Sequence, residues 1–210
     1  MKRWSGFLLS SVLLLAAGAW PPSARAADDL AVIQQRVAQV EVLRGQFEQE
    51  KRITGFKNPL RSQGRFVVAR QKGVIWTTEK PFPSEMVITR DRILSRQRDG
   101  SQRVEVDGRE QPALRSVNAM MFALVSGDVA ALSSRFETRV QALPDNGWRL
   151  GLKPRSAALA KVFARIELSG DRYVREVRIE EANGDSTLLR FSALKDTPAT
   201  LAADEARRFD

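Results

Sequence analysis

Residues 60–76, LRSQGRFVVARQKGVIW, decide the fold. They read as two β-strands, Arg61–Arg70 and Val74–Glu79, joined by a short turn at Gln71-Lys72-Gly73. Side chains of a strand alternate between its faces, so Phe66, Val68 and Arg70 are expected on one side. A guanidinium in line with two apolar residues is costly on a core face unless it is paired, reaches water, or works as a movable latch.

The same grammar extends in both directions. Upstream, Asp28 or Asp29 can cap a helix whose apolar stripe is Leu30, Ile33, Val37 and Val40. From Leu43 the period drops to two, with Phe47 and Ile53 on one face and Arg44, Gln46, Glu48, Glu50 and Arg52 on the other. Downstream, Lys80-Pro81-Phe82-Pro83 is a turn, and Ser84–Arg90, Arg92–Gln97 and Gln102–Val106 are further strands. A second helical block spans about 113–125, with Leu114, Val117, Met120, Met121 and Leu124 as its stripe and Gly127-Asp128 ending it. A shorter helical turn follows at Val129–Leu132. Strands then resume around Phe136–Val140, Trp148–Lys153, Arg165–Leu168, Glu176–Ile179 and Leu189–Phe191, with hairpin signals at Asp145-Asn146-Gly147 and Asn183-Gly184. After Lys195 the tail is polar, with a short helix expected near Leu201–Arg207.

Strands linked by tight turns, apolar on one side and charged on the other, describe one antiparallel sheet with a wet outer face. The chain is therefore expected to be mainly β, with a single curled sheet of about eleven strands forming an unclosed barrel. The amphipathic helices bury their stripes as a lid over the concave face. Residues 27–210 form one domain.

Residues 1–26 read as a signal peptide: a basic start at Lys2 and Arg3, an apolar run Phe7–Trp20, and a small-x-small site at Ala24-Arg25-Ala26. The run falls short of the roughly 20 residues that a helix needs to span a bilayer. Cleavage after Ala26 gives a soluble periplasmic chain that ends at Asp210. Cysteine and histidine are both absent, which removes a lipid-modified Cys anchor, disulfides, Cys- and His-based nucleophilic dyads and the usual zinc sites. No metal or cofactor is expected. The net charge of +9, lowered to +6 by removal of Lys2, Arg3 and Arg25, suits solubility, or contact with anionic lipid headgroups or an acidic partner. Nucleic acid is not expected, because the cations alternate with acids (Arg135-Glu137-Arg139, Arg165-Glu167, Arg175-Glu176-Arg178).

The concave side admits two readings, and periodicity leaves both open. One is a packed core. The other is a cavity for an apolar ligand, lined by Phe47, Phe66, Val68, Trp76, Met86, Ile88, Met120, Met121, Leu124 and Trp148. A third possibility, an enzyme using Glu48 and Glu50, is disfavoured because alternation puts both on the polar outer face beside Arg52.

The run from Leu43 to Trp76 resembles the periplasmic lipoprotein carrier family, LolA. The family's F-x-Q-x-K first strand falls on Phe47, Gln49 and Lys51, and its following motif on Gly64, Phe66, Arg70 and Trp76. The likeness continues through Lys80-Pro81 and into Trp148–Pro154. It implies an unclosed barrel with a helical lid that carries acylated lipoproteins, or another lipid cargo. It further implies loading by an inner-membrane lipoprotein-releasing ABC transporter, delivery to an outer-membrane receptor, a monomeric state and no enzymatic activity. The motif arginine, Arg70, would hold the lid shut. A lipoprotein-sensing binding module of the same fold is the alternative. Gln71 stands where the family usually has proline, and longer members continue beyond the position of Phe209-Asp210.

Overall fold

The computed structural model describes residues 33–89, 92–96, 102–107, 123 and 128–209. Eleven strands form one antiparallel, unclosed sheet in the order β6-β5-β4-β3-β2-β1-β11-β10-β9-β8-β7. The first meander is β1 (Val42–Arg52), β2 (Leu60–Ala69), β3 (Gly73–Lys80), β4 (Ser84–Ile88), β5 (Arg92–Arg96) and β6 (Gln102–Asp107). The second is β7 (Phe136–Ala142), β8 (Trp148–Pro154), β9 (Phe163–Gly170), β10 (Val174–Glu181) and β11 (Ser186–Lys195). Tight turns make each meander. Asp145 and Asn146 both adopt positive φ, 54° and 57°, which is why that sequence closes the β7–β8 hairpin. The two meanders join where β1 pairs with β11, Phe47 opposite Phe191.

Three short helices follow β6 among the described residues: α1 (Val129–Ser133), α2 (Ala157–Ala160) and α3 (Ala203–Arg207). The expected tail helix is α3; α2 has no counterpart in the sequence reading. Residues 33–36 are helical as well, and Ile33 and Val37, the latter just past that helix, are buried in the concave core. Of the second helical block only Ala123 is described. It is helical and buried in that same cluster; Met120, Met121 and Leu124 lie outside the described residues.

One correction concerns the outer face, which is not wet throughout. Val67, Ile75, Val87 and Leu94 stand directly opposite one another across β2–β5. They form a second apolar cluster, covered by Leu201 and Phe209 of the C-terminal strap. The signal was present: Phe66–Ala69, Val74–Trp76 and Met86–Ile88 are apolar without alternation, the pattern of strands covered on both faces.

Arg44, on the outer face of β1, fastens that strap. Its Nε and Nη2 donate to the two carboxylate oxygens of Glu205 at 2.8 and 2.6 Å. Nη1 and Nη2 also donate to the carbonyls of Pro198 and Thr200 at 2.8 and 2.9 Å. The hydrogen bonds from Arg44 hold the Glu205 carboxyl below its ordinary pKa, more than offsetting the opposing effect of burial. The strap's contribution to stability is therefore present above the ordinary carboxylate range and is lost as pH falls through the folded-state value. Arg44→Ala is expected to cost about 2 kcal/mol and to expose the bonds after Arg207 and Arg208 to trypsin. Acidification below the carboxylate range should likewise loosen the strap of the parent chain, there exposing Phe209 to pepsin, which is active at that pH. Denaturant melts and C-terminal peptide mapping check both.

Candidate functional site, an aromatic concave face

The inward positions of β1, β2, β3 and β11 bring Phe47, Phe66, Trp76 and Phe191 together. Phe47 stacks on Trp76 with ring centroids 3.8 Å apart and planes at 25°. Phe66 lies 6.1 Å from Trp76 at 22°, and Phe191 meets Phe66 edge-on at 5.2 Å. Such pairs add stability beyond their area. The stack needs a strand without a side chain beside it. Gly64 faces Phe47 across β1–β2, and a Cβ there would run into the Thr77 carbonyl and lie 3.0 Å from the Phe47 ring. Glycine inside a strand here marks close backbone approach.

The two halves of the concave face differ. On β8–β10 the inward residues Trp148, Leu150, Leu152, Ile166, Leu168 and Val177 are fully buried. On β3 and β4, Trp76 and Ile88 are only partly buried, and Met86, opposite Trp76 in register, is 37% exposed. The uncovered apolar surface is therefore at β3–β4. Among the expected lining residues, Phe47, Phe66, Val68, Trp76 and Ile88 share one cluster with Trp148. Met86 sits at its open margin. Trp148 is at 0% exposure, with its indole N–H donating to the Asp171 carbonyl at 2.6 Å. It packs the far half and has no free face.

Arg70 departs from its expected position. β2 stops at Ala69, where the chain turns into β3: the Lys72 N–H donates back to the Ala69 carbonyl at 3.0 Å, while the Arg70 N–H still donates to the Glu41 carbonyl at 2.9 Å, one step beyond the last β1–β2 pair. Arg70 is an exposed turn residue at the rim rather than a charge on the apolar strand face. Its guanidinium bonds the side-chain oxygen of Gln39, in the segment that follows the N-terminal helix. That segment is tied at two further points. Arg36 donates to the Gly147 carbonyl at 2.6 Å, and the Ala38 N–H donates to the Arg172 carbonyl at 2.8 Å. Backbone-directed bonds of this kind were not foreseeable from spacing.

The two outer-face carboxylates of β1 face cations. Glu50 is bonded to Arg52 and Arg61, and Glu48 is exposed opposite Arg190. A shallow groove of about 570 Å³ on β7–β9 is lined by Arg139, Arg149, Lys153, Arg165, Glu137 and Glu167 around Gly151. Its charges are mixed, and Glu167 bridges Arg149 and Arg165. Among the described residues no group of three or more acidic side chains could hold a metal, and no helix is long and apolar enough to cross a membrane.

Residues 38–205 match the family model described as outer membrane lipoprotein carrier protein LolA. The chain belongs to the LolA family. Its match with the outer-membrane lipoprotein carrier protein of Alkalilimnicola ehrlichii is 27% identical over 197 residues, 93% of this chain and 86% of that protein. Among solved structures it is similar to a LolA superfamily protein from Nitrosomonas europaea, with a TM-score of 0.45, 9% identity and 81% and 92% of the two chains covered. It is also similar to the Pseudomonas aeruginosa MucA/MucB complex, with a TM-score of 0.46, 18% identity and 89% and 61% covered. These structural likenesses have no bearing on function. Phe47, Gly64, Phe66 and Trp76, on which the sequence resemblance rests, lie within the matched residues and next to one another in the concave face.

Proposed function

We propose that this chain is a periplasmic carrier, exported by residues 1–26, that shields the acyl chains of lipoproteins or a related lipid on the aromatic concave face. It accepts them from an inner-membrane ABC transporter and passes them to an outer-membrane receptor. It acts as a monomer, without catalysis. The observation that carries this reading is the half-covered Trp76, stacked on Phe47 and flanked by exposed Met86, in a chain of the LolA family. Each acyl CH₂ buried there is worth roughly 0.8 kcal/mol, so a few carbons per chain give an attachment that forms readily and still releases. Mass spectrometry of the protein recovered from the periplasm tests this. Acylated protein or lipid should accompany it; a cargo-free protein under conditions where the transporter is active would contradict it.

Arg70 supports the reading as a reversible catch. Its bond to Gln39 fastens the N-terminal segment across the rim, and a hydrogen bond of this kind is worth about 1 kcal/mol. Arg70→Leu should shift the open–closed balance roughly fivefold, seen as more cargo retained per carrier. Unchanged loading and release would contradict the catch.

A further inference from the structure

Four of the large apolar side chains exposed among the described residues share one end of the sheet. Phe56 is 66% exposed in the β1–β2 loop, Leu60 is 53% exposed at the start of β2, Phe82 is 81% exposed in the β3–β4 turn, and Val162 is 45% exposed just before β9. Pairing fixes their common location: Lys51 lies opposite Leu60 and Thr187, Gln63 opposite Lys80, and Glu181 opposite Phe163. The loops are linked into one rim by the Thr54 N–H bond to Asp185 at 2.9 Å and the Ala182 N–H bond to the Val162 carbonyl at 3.0 Å. The two other exposed apolar residues are otherwise placed: Met86 sits beside Trp76, and Val104 continues the outer row that ends at Leu94. The opposite end, with Arg70, Asp171 and Gly147, carries none of the six.

Cations outnumber carboxylates on this rim, where Asp185 accepts from the Thr54 N–H and Glu180 is exposed. Glu50 is bonded to Arg52 and Arg61, Glu79 to Arg65, and Glu181 to Lys51. Lys57, Lys80 and Lys161 are exposed, and none is ion-paired with a carboxylate among the described residues. The result is a line of protruding apolar tips interleaved with lysines.

We propose that this end of the sheet docks on an anionic phospholipid surface, with Phe82 and Phe56 entering the headgroup–acyl boundary and Lys57, Lys80 and Lys161 on phosphates. The arrangement suits a bilayer rather than a protein partner. Two hairpin loops separated by two strands stand about 10 Å apart, so their tips are single projections, not the contiguous packed patch that a protein interface needs at its centre. A fluid interface closes around each tip separately, and unpaired lysines add attraction to anionic lipid. The proposal concerns the rim and stands whether or not the concave face carries acyl chains.

Because the chain has no cysteine, single positions can be labelled in the full protein. Phe82→Cys and Gln71→Cys, each bearing an environment-sensitive fluorophore, are titrated with vesicles of phosphatidylethanolamine and phosphatidylglycerol. The emission at position 82 should shift to the blue, and that at position 71, at the opposite end, should not. Co-sedimentation of the Phe56→Glu/Phe82→Glu double variant should fall at least roughly tenfold, with its melting curve unchanged because both side chains are exposed. Phosphatidylcholine vesicles should bind more weakly than anionic ones. No shift at position 82, an equal shift at position 71, or binding unaffected in the double variant would overturn the proposal, and a rim that binds only protein would appear as the first of these.

Discussion

Trp148→Ala is expected to cost about 3–5 kcal/mol of folding stability while leaving the concave surface at β3–β4 in place. The indole is entirely buried, lies between Ala142 and Gly170 in register, and donates its N–H to the Asp171 carbonyl. Truncation removes a large packed ring and leaves that carbonyl without its donor, two separate penalties. For a domain of this size the loss corresponds to a fall in melting temperature of roughly 10 °C or more. Trp76→Ala should behave differently. That ring is only partly buried, so its removal costs less stability and more apolar ligand contact. Calorimetry on the two variants separates them, and equal losses of stability would show that Trp76 is as much a packing residue as Trp148.

Gly64→Val is the second large effect, at about 3 kcal/mol destabilising. A Cβ at position 64 collides with the backbone carbonyl of Thr77, which cannot move without breaking the β2–β3 ladder, and presses on the Phe47 ring. The strain is therefore transmitted into the Phe47–Trp76 stack. Tryptophan emission should change together with stability, because the partner of Trp76 is displaced. The comparison position is Gly55, where a Cβ would meet nothing within 4 Å but φ is +88°. Substitution there strains only the loop and should leave the stack's emission as it is. Denaturant titration with fluorescence detection reads both.

Much of the architecture was legible because turns and alternation agree. Asp145-Asn146-Gly147 and Asn183-Gly184 close hairpins where they were expected, and inward residues such as Phe66, Val68, Leu150 and Ile166 fall on one face. Three features were not legible, each for a physical reason. Alternation does not say where a strand stops: β2 ends one residue before Arg70 because the turn into β3 closes early, with the Lys72 N–H bonded to the Ala69 carbonyl. The uninterrupted apolar runs of β2, β3 and β4 carry the mark of a second covered face, but nothing in local spacing says that the Phe209 strap, from the far end of the chain, is what covers it. Finally, Trp76 and Trp148 have the same sequence signature, an aromatic residue at an inward strand position. Their difference, one half-covered and one sealed, arises from what packs across the sheet and has no trace in local spacing.

The most direct test of the carrier account is quenching of Trp76 by cargo. In a chain beginning at Ala27 and carrying Trp148→Phe, Trp76 is the sole tryptophan. A triacylated lipopeptide with brominated acyl chains is titrated into it, with the same peptide lacking acyl groups as reference. Saturable quenching by the acylated peptide alone is the predicted result. Emission that stays constant while the lipopeptide binds, or while no binding occurs at all, would contradict a concave acyl site.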